Sequence, residues 1–153
     1  MRRTDREIHS RATIDQVIHA AGVCHLGLSD HDHPYIIPIS FGYDGSKLYF
    51  HTAAEGMKID YMIANPRVCF EMEQDVRVAG NDQQACKWGQ LFTSVIGFGT
   101  VHEINDHAGR LAAMNQVMQH YSGRHWEFDP ETFAQVRLWC ISIEQLTGKQ
   151  RAA

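Results

Sequence analysis

Leu48-Tyr49-Phe50-His51-Thr52-Ala53-Ala54-Glu55-Gly56-Met57-Lys58, followed after Ile59 to Ala64 by Asn65-Pro66, is the stretch that decides the fold. It reads as a β-strand that passes through one glycine into a short helix. Tyr49, Phe50 and Thr52 suit a pleated, half-buried surface and follow the turn signal Asp44-Gly45-Ser46. Ile59, Met62 and Ile63 recur at helical spacing, and Asn-Pro stops the helix. A helix start presents unpaired backbone N–H groups and the positive end of a dipole; here Lys58 adds a full positive charge, with His51 and Thr52 arriving beside it. Such a junction is suited to holding a phosphate.

Upstream of this junction, Thr13-Ile14-Asp15-Gln16 has capping-box spacing, and Ile14, Val17, Ile18 and Ala21 repeat as the buried stripe of a first helix ending at Gly22. Val23 to Ser29 and Tyr35 to Tyr43 read as strands around an Asp30 to Pro34 turn, and the third strand ends at His51. Downstream, Val68, Phe70 and Met72 alternate with Cys69, Glu71 and Glu73 in a fourth strand. Ala79 to Gln90 is polar and reads as a connection carrying Trp88 and Cys86. Thr93 to Ile104 resumes as a strand. Asn105 or Asp106 can cap a helix in which Leu111, Met114, Met118 and Tyr121 share a face, closed by Ser122-Gly123. Val136 to Leu146 supplies the last strand. Six strands and three helices result, and the short turns between the first three strands favour antiparallel neighbours. The expected fold is mainly β: a small closed or nearly closed antiparallel barrel with peripheral helices.

The 153 residues fit one domain, residues 1–153, large enough to bury roughly 70% of the surface of the unfolded chain. A net charge of -4 with scattered Lys and Arg argues against nucleic-acid binding. The sequence has no apolar run of the ~18 residues needed to cross a bilayer and no apolar stretch after Met1-Arg2-Arg3, so a membrane partner is not expected and the cytoplasm is. Cys24, Cys69, Cys86 and Cys140 form no Cys-x-x-Cys pair, which suits a reducing compartment. Cys86 stands beside Lys87 in the polar connection, where it reads as a loop thiol.

Gly97-Phe98-Gly99 falls short of a dinucleotide loop, because His102 occupies the place of the third glycine and the segment lies within a strand. These glycines read instead as a bend or close approach in the barrel wall. Of ten histidines only His31 and His33 are close, in a turn without a cysteine, so no metal site is expected. Trp126, Trp139 and the Met114/Met118 stripe sit at core spacing. No Gly-x-Ser-x-Gly elbow or Cys-His nucleophile is present. Taken alone, His51 reads as a strand-end histidine bonded to a neighbour.

The run Phe50-His51-Thr52, Lys58, Asn65-Pro66 resembles the strand, phosphate-binding turn and Asn-Pro of the split-barrel flavin-binding proteins, the superfamily of pyridoxamine-phosphate oxidase. Met1-Arg2-Arg3, Pro34 to Tyr43, Ser94 to Gly99, His120-Tyr121-Ser122-Gly123 and Leu146-Thr147-Gly148-Lys149 are similar to one branch of it, the relatives grouped with nitroimidazole-resistance proteins. The resemblance implies a six-stranded antiparallel split β-barrel that forms a homodimer and binds FMN between subunits. By motif, Lys58 and Thr52 would contact the phosphate, and Pro38, Ile39, Ser40 and His51 would lie along the ring and ribityl chain. Trp88 would cover the ring and Ser94 would hydrogen-bond to the cofactor. His51 is also the implied catalytic group, as an acid or electron-transfer participant.

Gly56 replaces the serine that pyridoxamine-phosphate oxidases carry four residues after the threonine, and their basic substrate-binding C-terminal segment has no counterpart, so oxidation of pyridoxamine phosphate is not expected. The implied activity is transfer of electrons from a reduced nicotinamide to a small-molecule electron acceptor such as a quinone, flavin or nitroaromatic. The alternatives are FAD in place of FMN, a flavin- or haem-binding module for storage or sensing, and a barrel dimer with a decayed site.

Overall fold

The computed structural model describes residues 3–152; Met1 and Arg2 of the Met1-Arg2-Arg3 run lie outside them. Six long strands form the wall: β2 (Cys24–Asp30), β3 (His33–Ile39), β5 (Lys47–Thr52), β6 (Arg67–Ala79), β7 (Gly89–Ile104) and β8 (Arg137–Arg151). Two-residue strands β1 (Glu7–Ile8) and β4 (Gly42–Tyr43) add to it, and four helices lie around it: α1 (Arg11–Ala20), α2 (Met57–Ala64), α3 (His107–Ser122) and α4 (Pro130–Ala134).

All pairings are antiparallel, in the order β3-β2-β6-β7-β8-β5-β4, with β1 on β8. Chain connectivity shows that this sheet is curled. β3 and β4 stand at its opposite ends, yet Ile39 and Gly42 are joined through only Ser40 and Phe41, a span of at most ~11 Å. The two ends of the sheet therefore meet, which is the split-barrel architecture expected. Inside lie Leu26, Phe41, Leu48, Phe50, Phe70, Met72, Val95 and Ile141, and Ile14, Val17 and Ile18 of α1 belong to the same cluster. A smaller cluster of Ala113, Phe133 and Leu138 fastens α3 and α4 to the outside.

Several local expectations are corrected. The strand read from Tyr35 to Tyr43 is two strands, because the Phe41 N–H donates to the Tyr121 hydroxyl at 3.2 Å instead of to a ladder. At the same place Gly42 lies against the backbone of α3, where a Cβ would come within 2.3 Å of the Gln116 carbonyl carbon. Helix α1 is capped by Ser10, which accepts from the Thr13 N–H at 3.3 Å, so Thr13 sits in the first turn.

The connection read from Ala79 to Gln90 is shorter. Beyond a bulge between Gln74 and Arg77, β6 and β7 continue as a two-stranded ladder to Ala79↔Gly89. Most of its residues are exposed or half-buried, so it has no apolar alternation to announce it. β8 likewise runs on past Leu146 to pair Arg151 with Phe92. The unforeseen helix α4 starts at Pro130, with the Asp129 carboxylate accepting from the Thr132 N–H at 2.9 Å.

On α3 the buried residues are Ala113 and Val117; Leu111, Met114 and Met118 are half-buried and Tyr121 is exposed. Trp139 is in the core, but Trp126 is 40% exposed beneath the Arg124 guanidinium. Gly97 lies within β7 as read, and its missing side chain admits the Phe70 ring, which a Cβ would meet at 2.1 Å.

Candidate functional site

The junction of β5 and α2 has the backbone its sequence requires. Leu48, Phe50 and Thr52 point inward and His51 outward. Gly56 adopts φ 138, ψ 159, a region open essentially to glycine alone. No atom lies within 4 Å of its would-be Cβ, so conformation and not space selects the residue. Among the described residues no side chain caps α2; the first helical bonds run from the Ile59 and Asp60 N–H groups to the Gly56 carbonyl at 2.8 and 3.4 Å. The amides of Met57 and Lys58 thus precede the helical ladder.

Lys58 is half-buried and, among the described residues, has no carboxylate within ion-pair distance. Its charge reaches His51: partial burial, followed by repulsion from Lys58, holds the imidazole below its ordinary pKa. His51 is therefore predominantly neutral near pH 7 and able to take or give a proton.

Strand register brings Ser40 to the same place. The β4–β5 ladder pairs Gly42 with Tyr49 and Tyr43 with Leu48. Continued backward past the last pair, the register sets Ser40 opposite His51, in the slot between β5 and β3, which pairs with β2 instead. Pro38 and Ser40 are exposed at the end of β3 and His51 is exposed at the end of β5 across this slot, with Lys58 near enough to His51 to oppose its protonation. Ile39 differs. Its side chain is buried at 8% exposure, so only its backbone lies on the lip.

Thr52 also faces inward and is 4% exposed. Its hydroxyl donates to the Ala53 carbonyl at 2.8 Å and accepts from the Trp139 indole N–H at 3.0 Å. The Arg137 guanidinium lies 4.9 Å from the Trp139 ring, donates to the Ala54 carbonyl at 3.5 Å, and holds Glu103 through bonds of 2.7 and 2.6 Å. Glu103 and Arg137 escaped the sequence reading and Trp139 was read only as core, since only the β5–β8–β7 register places them behind the turn.

Trp88 and Ser94 do not join the cluster within one chain. Pro38, His25, Glu71 and Ile96 are ladder partners in succession, and Ser94 lies further along β7, opposite Glu73 and Lys149. Three strand spacings, about 14 Å, therefore separate Ser94 from the β3 lip. Trp88 is 54% exposed and closes its own hairpin, donating to the Asn81 carbonyl at 2.7 Å and packing on Gly80. The outer face between carries exposed Ile36, Ile96 and Phe98.

His31 and His33 are exposed, each beside its neighbouring aspartate. Among the described residues no helix is long and apolar enough to cross a membrane.

Residues 10–150 match the family described as Pyridoxamine 5'-phosphate oxidase. A candidate 5-nitroimidazole antibiotic resistance protein of Bacteroides thetaiotaomicron superposes with a TM-score of 0.82 at 28% identity, covering 94% of this chain and 85% of that one. An FAD-binding protein of Mesorhizobium loti gives 0.70 at 26% identity, covering 96% and 98%. A 67-residue segment is 33% identical to an uncharacterized protein of Rhizobium meliloti, covering 44% of this chain and 44% of the length of that relative. Fold, matched span and junction agree: the chain belongs to the pyridoxamine 5'-phosphate oxidase-like family of FMN-binding split barrels.

Proposed function

We propose that this chain is the protomer of a homodimeric flavin-dependent oxidoreductase that passes electrons from a reduced nicotinamide to a small acceptor such as a quinone, flavin or nitroaromatic. The observation that carries this reading is the start of α2, which no side chain caps, with Lys58 two residues after Gly56 and without a carboxylate partner among the described residues. A dianionic phosphate supplies what that junction lacks: an acceptor for the first amides and a counter-charge for the ammonium. The residues present therefore fit a flavin phosphate. FMN is the proposed form; the FAD carried by the Mesorhizobium loti protein keeps the dinucleotide as the alternative.

When bound, the flavin supplies the electron-accepting and electron-donating ring. The chain's own part is to fix the phosphate at Lys58 and to line the ring with the Pro38–Ser40 edge. His51, neutral beside a fixed cation, is placed to exchange a proton at the slot between β3 and β5. Ile36, Ile96 and Phe98 give a second copy an apolar surface to cover. Ser94 and Trp88 of that copy are then free to reach the cofactor that they cannot reach in their own chain.

Titration with FMN, followed by sedimentation, tests the reading. The expected result is a yellow dimer that is bleached by a reduced nicotinamide and recovers when acceptor is added. A protein that rejects both FMN and FAD would overturn the site; one that binds flavin but is reduced by no nicotinamide would favour a storage or sensing module.

A further inference from the structure

The bulge in β6 decides which way Arg77 points. Ladder pairs run from Gln74↔Thr93 to Arg77↔Leu91, so Asp75 and Val76 stand opposite Phe92 alone. One extra residue turns the later side chains of a strand to its other face. Arg77 therefore shares a face with Leu91 and Thr93, the face that buried Met72 occupies before the bulge. Asp75 carries the distortion at φ 53, in the left-handed region.

A second arginine reaches the same face from β8, whose last pairs are Thr93↔Gln150 and Phe92↔Arg151. By alternation Gly89 lies on the face of Leu91 and Thr93, and a Cβ there would come within 1.9 Å of Arg151 Nη1. The missing side chain is what admits the guanidinium. Asp75, Arg77, Leu91, Thr93, Gln150 and Arg151 line a cavity of about 430 Å³, a size within the range of about 300–1,000 Å³ common to small-molecule sites. Neither arginine has a carboxylate within ion-pair distance among the described residues. Thr93 is 9% exposed, and its hydroxyl bonds to none of the described residues, which leaves the cavity as its polar contact.

We infer that this cavity binds a small organic oxyanion, a phosphate monoester or a carboxylate, held by the Arg77 and Arg151 guanidinium forks and the Thr93 hydroxyl. A guanidinium fork matches the spacing of two oxygens on either anion. Leu91 and Val76 give the remainder of the ligand an apolar wall, and the volume exceeds what a bare ion fills. Pro38, Ser40, His51 and Lys58 are not among the lining residues, so the inference stands or falls apart from the flavin reading.

NMR titration of the isotope-labelled full-length protein reads position and affinity together. Phenyl phosphate and benzoate probe the two anion classes, inorganic phosphate lacks the apolar body, and benzyl alcohol lacks the charge. At least one organic anion is expected to shift the Leu91, Thr93 and Gln150 amides and the Nε–H signals of Arg77 and Arg151. Inorganic phosphate should bind about tenfold more weakly for want of apolar contact, and benzyl alcohol should leave these signals in place. Arg77→Gln and Arg151→Gln should each weaken the preferred anion about tenfold, the loss of one charge-assisted contact. Gly89→Ala keeps both charges but displaces the Arg151 guanidinium, and should weaken it about fivefold. Asp75→Asn removes the carboxylate on the cavity wall and should tighten binding about twofold.

The ligand-free spectrum of each variant reports whether the fold is kept; Arg77 is exposed, so its variant serves if Gly89→Ala does not fold. Shifts confined to Met57 and Lys58 would put the anions at the β5–α2 junction and overturn the inference. Equal response to benzyl alcohol, undiminished affinity in both arginine variants, or no response to either organic anion at millimolar concentration would do the same.

Discussion

Replacing Lys58 with alanine tests the centre of the site by two readouts, one needing no ligand. In the free protein the ammonium opposes protonation of His51, so its removal should raise the His51 pKa. The rise should be partial, since burial of the ring is the larger cause and remains. Proton NMR of the imidazole across pH 4 to 8, roughly the range in which histidine titrates, follows the shift. With FMN added, the variant should lose the charge-assisted contact proposed for Lys58, in a half-buried place where no carboxylate among the described residues competes for the cation. Such contacts contribute about 1.5–3 kcal/mol, a loss of about ten- to hundredfold in affinity. The deficit should shrink as salt rises, because the screening length falls from about 10 Å at 0.1 M to about 3 Å at 1 M. Riboflavin binding should be untouched. An unmoved His51 pKa would refute the proximity of the two residues, and unchanged FMN affinity at low salt would refute the phosphate role.

Two further outcomes concern stability. Gly56→Ala meets no neighbouring atom but forces a Cβ onto φ 138, and should cost about 1–3 kcal/mol in urea unfolding; full stability would mean the turn relaxes freely. Burial opposes ionisation of Asp15, but bonds from the Tyr43 hydroxyl at 2.6 Å and Arg11 at 2.8 Å outweigh it and depress its pKa below 3.8. Its stabilising contribution is therefore present above that value and lost as pH falls through the lower folded-state value. Asp15→Asn should flatten the acid end of the stability curve by less than about 1 kcal/mol, because the group is partly solvated; an unchanged acid limb would remove Asp15 from the account.

Legibility from sequence followed the physical source of each signal. The β5–α2 junction could be read because alternation, a special glycine and an Asn-Pro stop coincide within a few residues. The six long strands could be read wherever one face is buried. The outer half of the β6–β7 hairpin could not, since exposure on both faces erases alternation. The break at Ser40-Phe41 was hidden because its cause, Tyr121, lies eighty residues away on α3. Among the proposed site residues, spacing pointed to Lys58, His51 rested on the family resemblance, and the β4–β5 register continued backward sets Ser40 opposite His51. Spacing could not reveal that Thr52 faces the core, because its partner Trp139 is brought alongside only by the β5–β8 pairing. Ser94 and Trp88 lie on another part of the surface, a separation that only the strand order reveals.

The position of β8 has a consequence for biosynthesis. This strand follows all the others in chain order, yet it lies between β7 and β5 and supplies the indole behind the Thr52 turn. While a ribosome is still making it, the nascent polypeptide holds two unsatisfied sheet edges and an open interior, the kind of species that aggregates or recruits chaperones. On the function proposed above, capture of a phosphate at the β5–α2 turn has to wait until β8 has been made, because the indole behind that turn comes from it.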